Sequence, residues 1–269
     1  MKALDGLTMG VRNGECFGLL GVNGAGKTTT FDILTGQSFA TAGTAYIDKR
    51  DVTEQIPIGY CPQFDALMLD FTGRDGGQRR KISVALALLS PTRIIILDEP
   101  TAGIDPKARR EIWEVLSMVR DQSHSALLLT SHSMDECEAL CSRIAILQKG
   151  RMVAIGTSQH LKTKFGNSYT ITMVAPRLEL RDNVIEGVIR TFPYAILKTP
   201  KESLSLRIVF FQVPKSKSDR WSTLFHDVQS LATSLGVVDF CVTQSSLEET
   251  FLHVSSYNEE EESSTSKLD

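Results

Sequence analysis

No apolar stretch among the 269 residues is long enough to cross a bilayer. The best run, ISVALALLSPTRIIILDEP, is cut by Pro91 and Arg93 and ends in two acids. The start, MKALDGLTMG, has no apolar core of the kind a secretory leader needs, so none is expected. Cysteine is scarce and unpaired: five residues, an odd number with no C-x-x-C, fit a reducing compartment better than a disulfide scaffold. Cys137 and Cys141 lie one helical turn apart near His132, but that spacing alone does not make a metal centre. A basic excess is missing too. The net charge is −3, and Glu259 to Glu262 with Asp269 against Lys267 put −4 on the tail from Tyr257, leaving +1 on the body. No nucleic-acid partner is expected from that balance. The cluster Arg79, Arg80, Lys81 reads as the solvated face of a helix.

What remains is an ordinary globular composition, with 42% hydrophobic and 23% charged residues. The length allows one large domain or two small ones. Up to about Phe165, continuous apolar runs alternate with helical patterns. ECFGLLG, IIILDEP and ALLLTSH read as buried strands, and 27–35, 107–120 and 133–141 as helices. RIAILQKGRMVAIG reads as a hairpin turning at Lys149-Gly150. Unbroken apolar strands separated by helices predict a parallel sheet covered on both faces. From Gly166 the rhythm changes. SYTITMVA, SLRIVFFQV and VVDFCVTQ alternate, with helices over 181–191 and 218–234 and a short closing helix SLEETFLHV. That pattern predicts a smaller ferredoxin-like α+β domain over 166–256. The Ser/Glu-rich residues 257–269 are expected to form a disordered acidic tail.

The first domain, 1–165, carries chemistry. GVNGAGKTT fits G-x-x-x-x-G-K-[ST] at Gly21, Gly26, Lys27 and Thr28, between a strand and a helix. Glycines let backbone N–H groups curl into a nest for anionic oxygens, and the helix N-terminus adds partial positive charge. The nest spans Gly21, Asn23, Gly24, Ala25, Gly26, Lys27, Thr28 and Thr29. Lys27 can bridge β- and γ-phosphates, and the Thr28 hydroxyl can ligate Mg²⁺. Asp98 and Glu99 end a buried strand, where doubly wound sheets place ligands. One carboxylate can hold Mg²⁺ and the next can polarise the attacking water as a general base. Together these motifs predict an α/β P-loop nucleoside triphosphatase with Mg²⁺ at its site.

These residues, with TAGIDP, LTSHSMDECEAL and GYCPQFDAL, resemble the ATP-binding cassette of ABC transporters, and within it the A subfamily of lipid exporters, nearest to the second cassette. The resemblance covers about residues 3–165 strongly and the C-terminal domain more weakly. It implies roles residue by residue. Gln63 would be the Q-loop residue reaching Mg²⁺, and Asp98 the Walker B acid. Glu99 would be the catalytic base, Asp105 the D-loop aspartate facing a partner cassette, and His132 the switch histidine on the γ-phosphate. It also implies a second cassette as partner in an ATP-sandwich dimer, transmembrane domains, a lipid substrate, a regulatory C-terminal domain and a place at the cytoplasmic face of a membrane.

Two features depart from the family pattern. The adenine-stacking aromatic would lie upstream of Met1. More consequentially, Gln63 is followed after only a short segment by Asp75, Gly76, Gly77 and Gln78, which stand where the family has its S-G-G-Q signature. The helical subdomain is largely missing between 64 and 75, which reads as an internal deletion. Asp75 can cap a helix, with Gln78 at N3 completing a capping box. It cannot donate a hydrogen bond to a phosphate as serine does. A carboxylate about 4 Å from a γ-phosphate charge, at an effective dielectric near 20, costs about 4 kcal/mol. Two readings follow: a cassette that hydrolyses MgATP to drive lipid transport, or a truncated cassette that binds ATP with little turnover. A soluble ABC ATPase of translation or repair is disfavoured, since it would bring tandem cassettes in one chain.

Overall fold

The computed structural model describes residues 2–54, 56–64, 76–89, 92–198, 207–215 and 220–265, with side chains of the last helix given to Ser256. Two compact units divide at Leu161/Lys162, four residues before the boundary expected from the sequence. The division falls inside a helix, Ser158–Phe165 (α5), that the polar text SQHLKTKF did not reveal.

In the first unit the strands are β1 (Cys16–Gly21), a hairpin of β2 (Tyr46–Ile47) and β3 (Arg50–Asp51), β4 (Gly59–Cys61), β5 (Ile94–Asp98), β6 (Ala126–Thr130), β7 (Arg143–Gln148) and β8 (Arg151–Gly156). Six form one sheet in the order β4-β5-β6-β1-β7-β8. All its pairings are parallel except β7 with β8. β1, β5 and β6 are buried at every residue, as strands covered on both faces must be. The β7–β8 hairpin turns at Lys149 (φ 49°) and Gly150 (φ 79°), two positive φ values that match the twist of a tight hairpin. Asp48 and Lys49 turn β2–β3 in the same way. The strand β4 and that small hairpin were not foreseen, because neither is long enough to show a period.

The helices of this unit are α1 (Lys27–Leu34), α2 (Gly76–Leu89), α3 (Pro106–Ser123), α4 (Met134–Leu140) and the start of α5. Phe17, Leu19, Phe31, Ile96, Leu128 and Leu147 anchor the core between sheet and helices. α3 starts on Asp105, whose carboxylate accepts from the amides of Lys107 and Ala108, with Pro106 at its first position. Ser133 caps α4 through the Glu136 amide.

The second unit runs β9 (Ser168–Val174), α6 (Arg181–Thr191), β10 (Ile196–Lys198), β11 (Ile208–Pro214), α7 (Trp221–Ser234), β12 (Asp239–Gln244) and α8 (Leu247–Thr265). Its sheet order β10-β11-β9-β12, antiparallel throughout, is the βαββαβ ferredoxin-like arrangement expected from the alternating strands. Ile171, Met173 and Phe211 from the sheet meet Val184, Val188 and Val228 from the helices. α8 opens with a reciprocal capping box: the Ser246 hydroxyl accepts from the Glu249 amide and the Glu249 carboxylate from the Ser246 amide. The helix runs to Thr265, so its backbone departs from the tail expected to be disordered from Tyr257. Glutamate is a good helix former, and that stretch extends a helix already nucleated and packed through Leu247, Phe251 and Val254.

Candidate functional site

β1 delivers the chain to Gly21, where a Cβ would stand 2.8 Å from both the Ala25 Cβ and the Leu147 carbonyl. Gly24 (φ 79°) and Gly26 (φ 105°) then turn the loop through backbone space that a side chain would strain. α1 starts at Lys27 with no side chain capping its first turn, so its leading amides remain available to an anion. Asn23 and Gly24 are exposed and Ala25 is buried, while Thr28 is exposed and Thr29 half-buried at the rim. Lys27 is only 7% exposed. Its Nζ donates to the carbonyls of Gly21 at 2.7 Å and Val22 at 3.2 Å. Burial pushes its pKa down, against the opposing pull of Glu99 and Asp98.

β5 carries the acids to the same end of the sheet. Asp98 is 2% exposed, and burial raises its pKa, opposed by a hydrogen bond from the Thr130 hydroxyl and by the charges of Lys27 and Arg80. Glu99 occupies the left-handed region at φ 51°, unusual for a residue with a side chain. Its amide donates to the Thr130 carbonyl at 3.2 Å and the Thr130 hydroxyl at 3.1 Å. That turn brings the Glu99 carboxylate to 2.7 Å from His132 Nε2, whose ring is half exposed. A carboxylate against an imidazole, beside a buried lysine and a phosphate nest, can orient water and take its proton.

The basic cluster on α2 departs from the sequence expectation. Lys81 does reach the surface, pairing with Glu111 at 3.5 Å. Arg80 is instead 3% exposed. Its guanidinium donates to the carbonyls of Pro62 (2.5 Å), Gln63 (3.1 Å), Glu99 (2.8 and 3.1 Å) and Asp98. A guanidinium is a fork of five donors, and strand ends offer carbonyls without ladder partners. The Gln63 side chain itself is exposed.

Gly76, Gly77 and Gln78 form the first turn of α2, with Gln78 exposed. Asp75, and with it the expected capping box, lies outside the described residues. Asp105 is exposed at the start of α3, where backbone hydrogen bonds, first that from Ala108, lower its pKa. Among the described residues no group of three or more His, Cys, Asp or Glu is arranged to hold a metal, Cys137 and Cys141 included. Both thiols are buried, and Cys16 Sγ lies 4.0 Å from Cys141 Sγ. A residue not singled out in the sequence is Glu136, 1% exposed, which accepts from the Thr101 hydroxyl at 2.9 Å and Trp113 Nε1 at 3.1 Å. It ties the segment after Glu99 and α3 to the helix that follows His132.

Comparisons with known proteins agree with this geometry. A family profile described as ABC transporter matches residues 4–76, and one described as an AAA domain matches 76–138. The ABC transporter ced-7 of Caenorhabditis elegans is 53% identical over 298 residues, covering 96% of this chain. The phospholipid-transporting ATPase ABCA3 of Homo sapiens is 36% identical, covering 94%, and human ATP-binding cassette sub-family A member 2 is 37% identical, covering 93%. This chain spans only 12–17% of the length of those relatives. Among solved structures, an ATP binding subunit of an ABC transporter matches with a TM-score of 0.53 at 22% identity, covering 61% of this chain and 87% of that one. A dimeric ATP-binding cassette in a post-hydrolysis state bound to ADP and Pi matches with a TM-score of 0.53 at 20% identity, covering 58% and 90%. Cassettes of this kind are ATPases. With its glycine-rich loop, paired acids and histidine on such a sheet, the chain belongs to the ATP-binding cassettes of the ABC transporter family, alongside A-subfamily relatives.

Proposed function

We propose that this chain is the nucleotide-binding domain of an A-subfamily-like lipid transporter, and that it binds MgATP in cis but turns it over slowly. The observation that carries the reading is Lys27. A buried ammonium held on two loop carbonyls, within electrostatic reach of Asp98 and Glu99, is a charge that a polyphosphate would satisfy. The uncapped start of α1 and the glycines at 21, 24 and 26 supply the amides and the room. Mg²⁺ fits the donor set, since the Thr28 hydroxyl and the Asp98 carboxylate are hard oxygen ligands, and when bound it would neutralise phosphate charge. Asp98 holds its place through Thr130. Glu99 accepts the proton of the attacking water, and His132 shares that carboxylate and faces the terminal phosphate. Gln63, at the end of β4, senses the same site, and Asp105 at the head of α3 faces a partner cassette. Residues 166–256 act as the regulatory domain.

Slow turnover follows from the segment between Gln63 and Gly76. The alignment with ced-7 runs 298 residues against a chain of 269, so it holds gaps in this chain, and the ABC transporter match stops at Gly76 where another begins. Both support a shortened helical subdomain, which would misplace the loop Asp75, Gly76, Gly77, Gln78 that should meet a partner's nucleotide. Titration with a fluorescent ATP analogue tests the binding half: Lys27→Ala should lose affinity by at least tenfold, and unchanged affinity would refute the site. Size-exclusion chromatography of Glu99→Gln with ATP tests the other half. A stable ATP-dependent dimer, with brisk phosphate release by the unaltered chain, would show that the shortened segment does no harm.

A further inference from the structure

The structure assigns Arg80 a task in this site: we infer that it is a positioning residue that sets the backbone of Glu99, and through it the contact with His132, in register with the Gln63 loop. The inference rests on the reading of Glu99 as the general base.

Glu99 is clamped from both sides of its strained φ. On the amide side, Thr130 accepts twice. On the carbonyl side, Arg80 donates twice, from Nε and Nη2. A residue with a side chain holds φ 51° only where its surroundings over-determine it. Those four hydrogen bonds do so, and the turn they fix aims the carboxylate at His132 Nε2, 2.7 Å away. The same guanidinium holds Pro62 and Gln63 through Nη1 and Asp98 through Nη2. One rigid plane therefore spaces the end of β4 against the end of β5.

The approach of α2 makes this reach possible. A Cβ at Gly59 would collide with the Ala87 carbonyl, so only glycine lets the helix lie this close to β4. Arg80 begins the buried face of α2 that Ser83, Val84 and Ala87 continue. These hydrogen bonds from Arg80 all end on backbone oxygens, so the clamp does not depend on which side chains stand at 62 or 63. A lysine could keep the charge but would contact one or two carbonyls instead of four, with no fixed plane.

The test reads Glu99 through His132. In protein labelled with ¹⁵N-histidine, the His132 ring signals are assigned by their loss in His132→Gln, and Glu99→Gln gives their position without a carboxylate partner. Arg80→Lys and Arg80→Met should move the signals at least halfway to the Glu99→Gln position, with affinity for the fluorescent ATP analogue changed by no more than about threefold. Guanidinium ion at millimolar concentration should return the signals of Arg80→Ala towards the parent position, an effect that a general loss of packing would not show. Single-turnover phosphate release, with protein in excess over ATP, should fall at least tenfold in Arg80→Lys at unchanged affinity. His132 signals at the parent position in folded Arg80→Lys overturn the inference. Parent-like signals in Glu99→Gln, or ATP binding indifferent to Lys27→Ala, would instead overturn the functional reading on which it rests.

Discussion

Replacing Thr130 by valine removes one hydroxyl and almost nothing else. Thr130 is fully buried at the end of β6. Its hydroxyl donates to Asp98 Oδ1 and accepts from the Glu99 amide. Valine keeps the β-branched shape, and the Glu99 amide keeps the Thr130 carbonyl at 3.2 Å. What is lost is mainly one hydrogen bond to a buried carboxylate, about 2 kcal/mol for a charged acceptor. For a unit of 161 residues that lowers the midpoint by roughly 4–8 °C. Trp113 fluorescence reports this unit once Trp221, the other tryptophan of the two, is changed to phenylalanine. The cost should depend on pH. Burial raises the Asp98 pKa, and the Thr130 hydroxyl pulls it back by favouring the ionised form. The Thr130→Val penalty is therefore full above the folded-state pKa of Asp98 and shrinks as the pH falls through it. In an Asp98→Asn background it should drop below about 1 kcal/mol, because the acceptor is neutral. Asp98→Asn alone should raise stability near neutrality, a gain that disappears as the pH falls and Asp98 itself protonates. A Thr130→Val penalty of equal size at every pH, or unchanged by Asp98→Asn, would refute the pairing.

Other substitutions bear on the same end of the sheet. Glu99→Gln should abolish phosphate release in single-turnover assays and leave ATP affinity within about threefold, since glutamine keeps the shape but cannot take the water's proton. Gly26→Ala places a Cβ 2.7 Å from Leu4 Cδ2 and 2.8 Å from the Ala3 carbonyl at φ 105°, and should cost about 2 kcal/mol in urea unfolding along with most ATP binding. Glu136→Ala strands the Thr101 hydroxyl and the Trp113 indole N–H, and should cost about 3 kcal/mol with a shift in Trp113 emission.

The parallel sheet was legible because its strands are unbroken apolar runs, and the second unit because β9, β11 and β12 alternate. The turn from β1 into α1 was legible because Gly21, Gly24 and Gly26 stand between an unbroken apolar strand and a helical pattern, and Gly24 and Gly26 take the positive φ that such a turn needs. β4 was not, since three residues, Gly59 to Cys61, carry no period. α5 was missed because its one fully buried residue, Leu161, leaves no stripe to read. Glu136 looked like any acid in the first turn of a helix, where negative charge is expected at the surface. Only the fold brings Thr101 and Trp113 to it.

Arg80 shows where a periodic reading could have gone further. Three adjacent cations suggest a solvated patch, yet neighbours on a helix point about 100° apart and need not share a face. Placed on a helical wheel, Arg80 falls at i of an i, i+3, i+4, i+7 set with Ser83, Val84 and Ala87, the small and apolar positions that α2 buries. A cation on that stripe is a signal in its own right, because burying it demands acceptors. The acceptors it finds are the carbonyls where β4 and β5 leave the sheet, and those strand ends carry Gln63, Asp98 and Glu99. In a doubly wound sheet the strand ends hold both the ligand and the unpaired backbone groups. A buried arginine on a covering helix is thus drawn to the site by the same geometry that makes it a site.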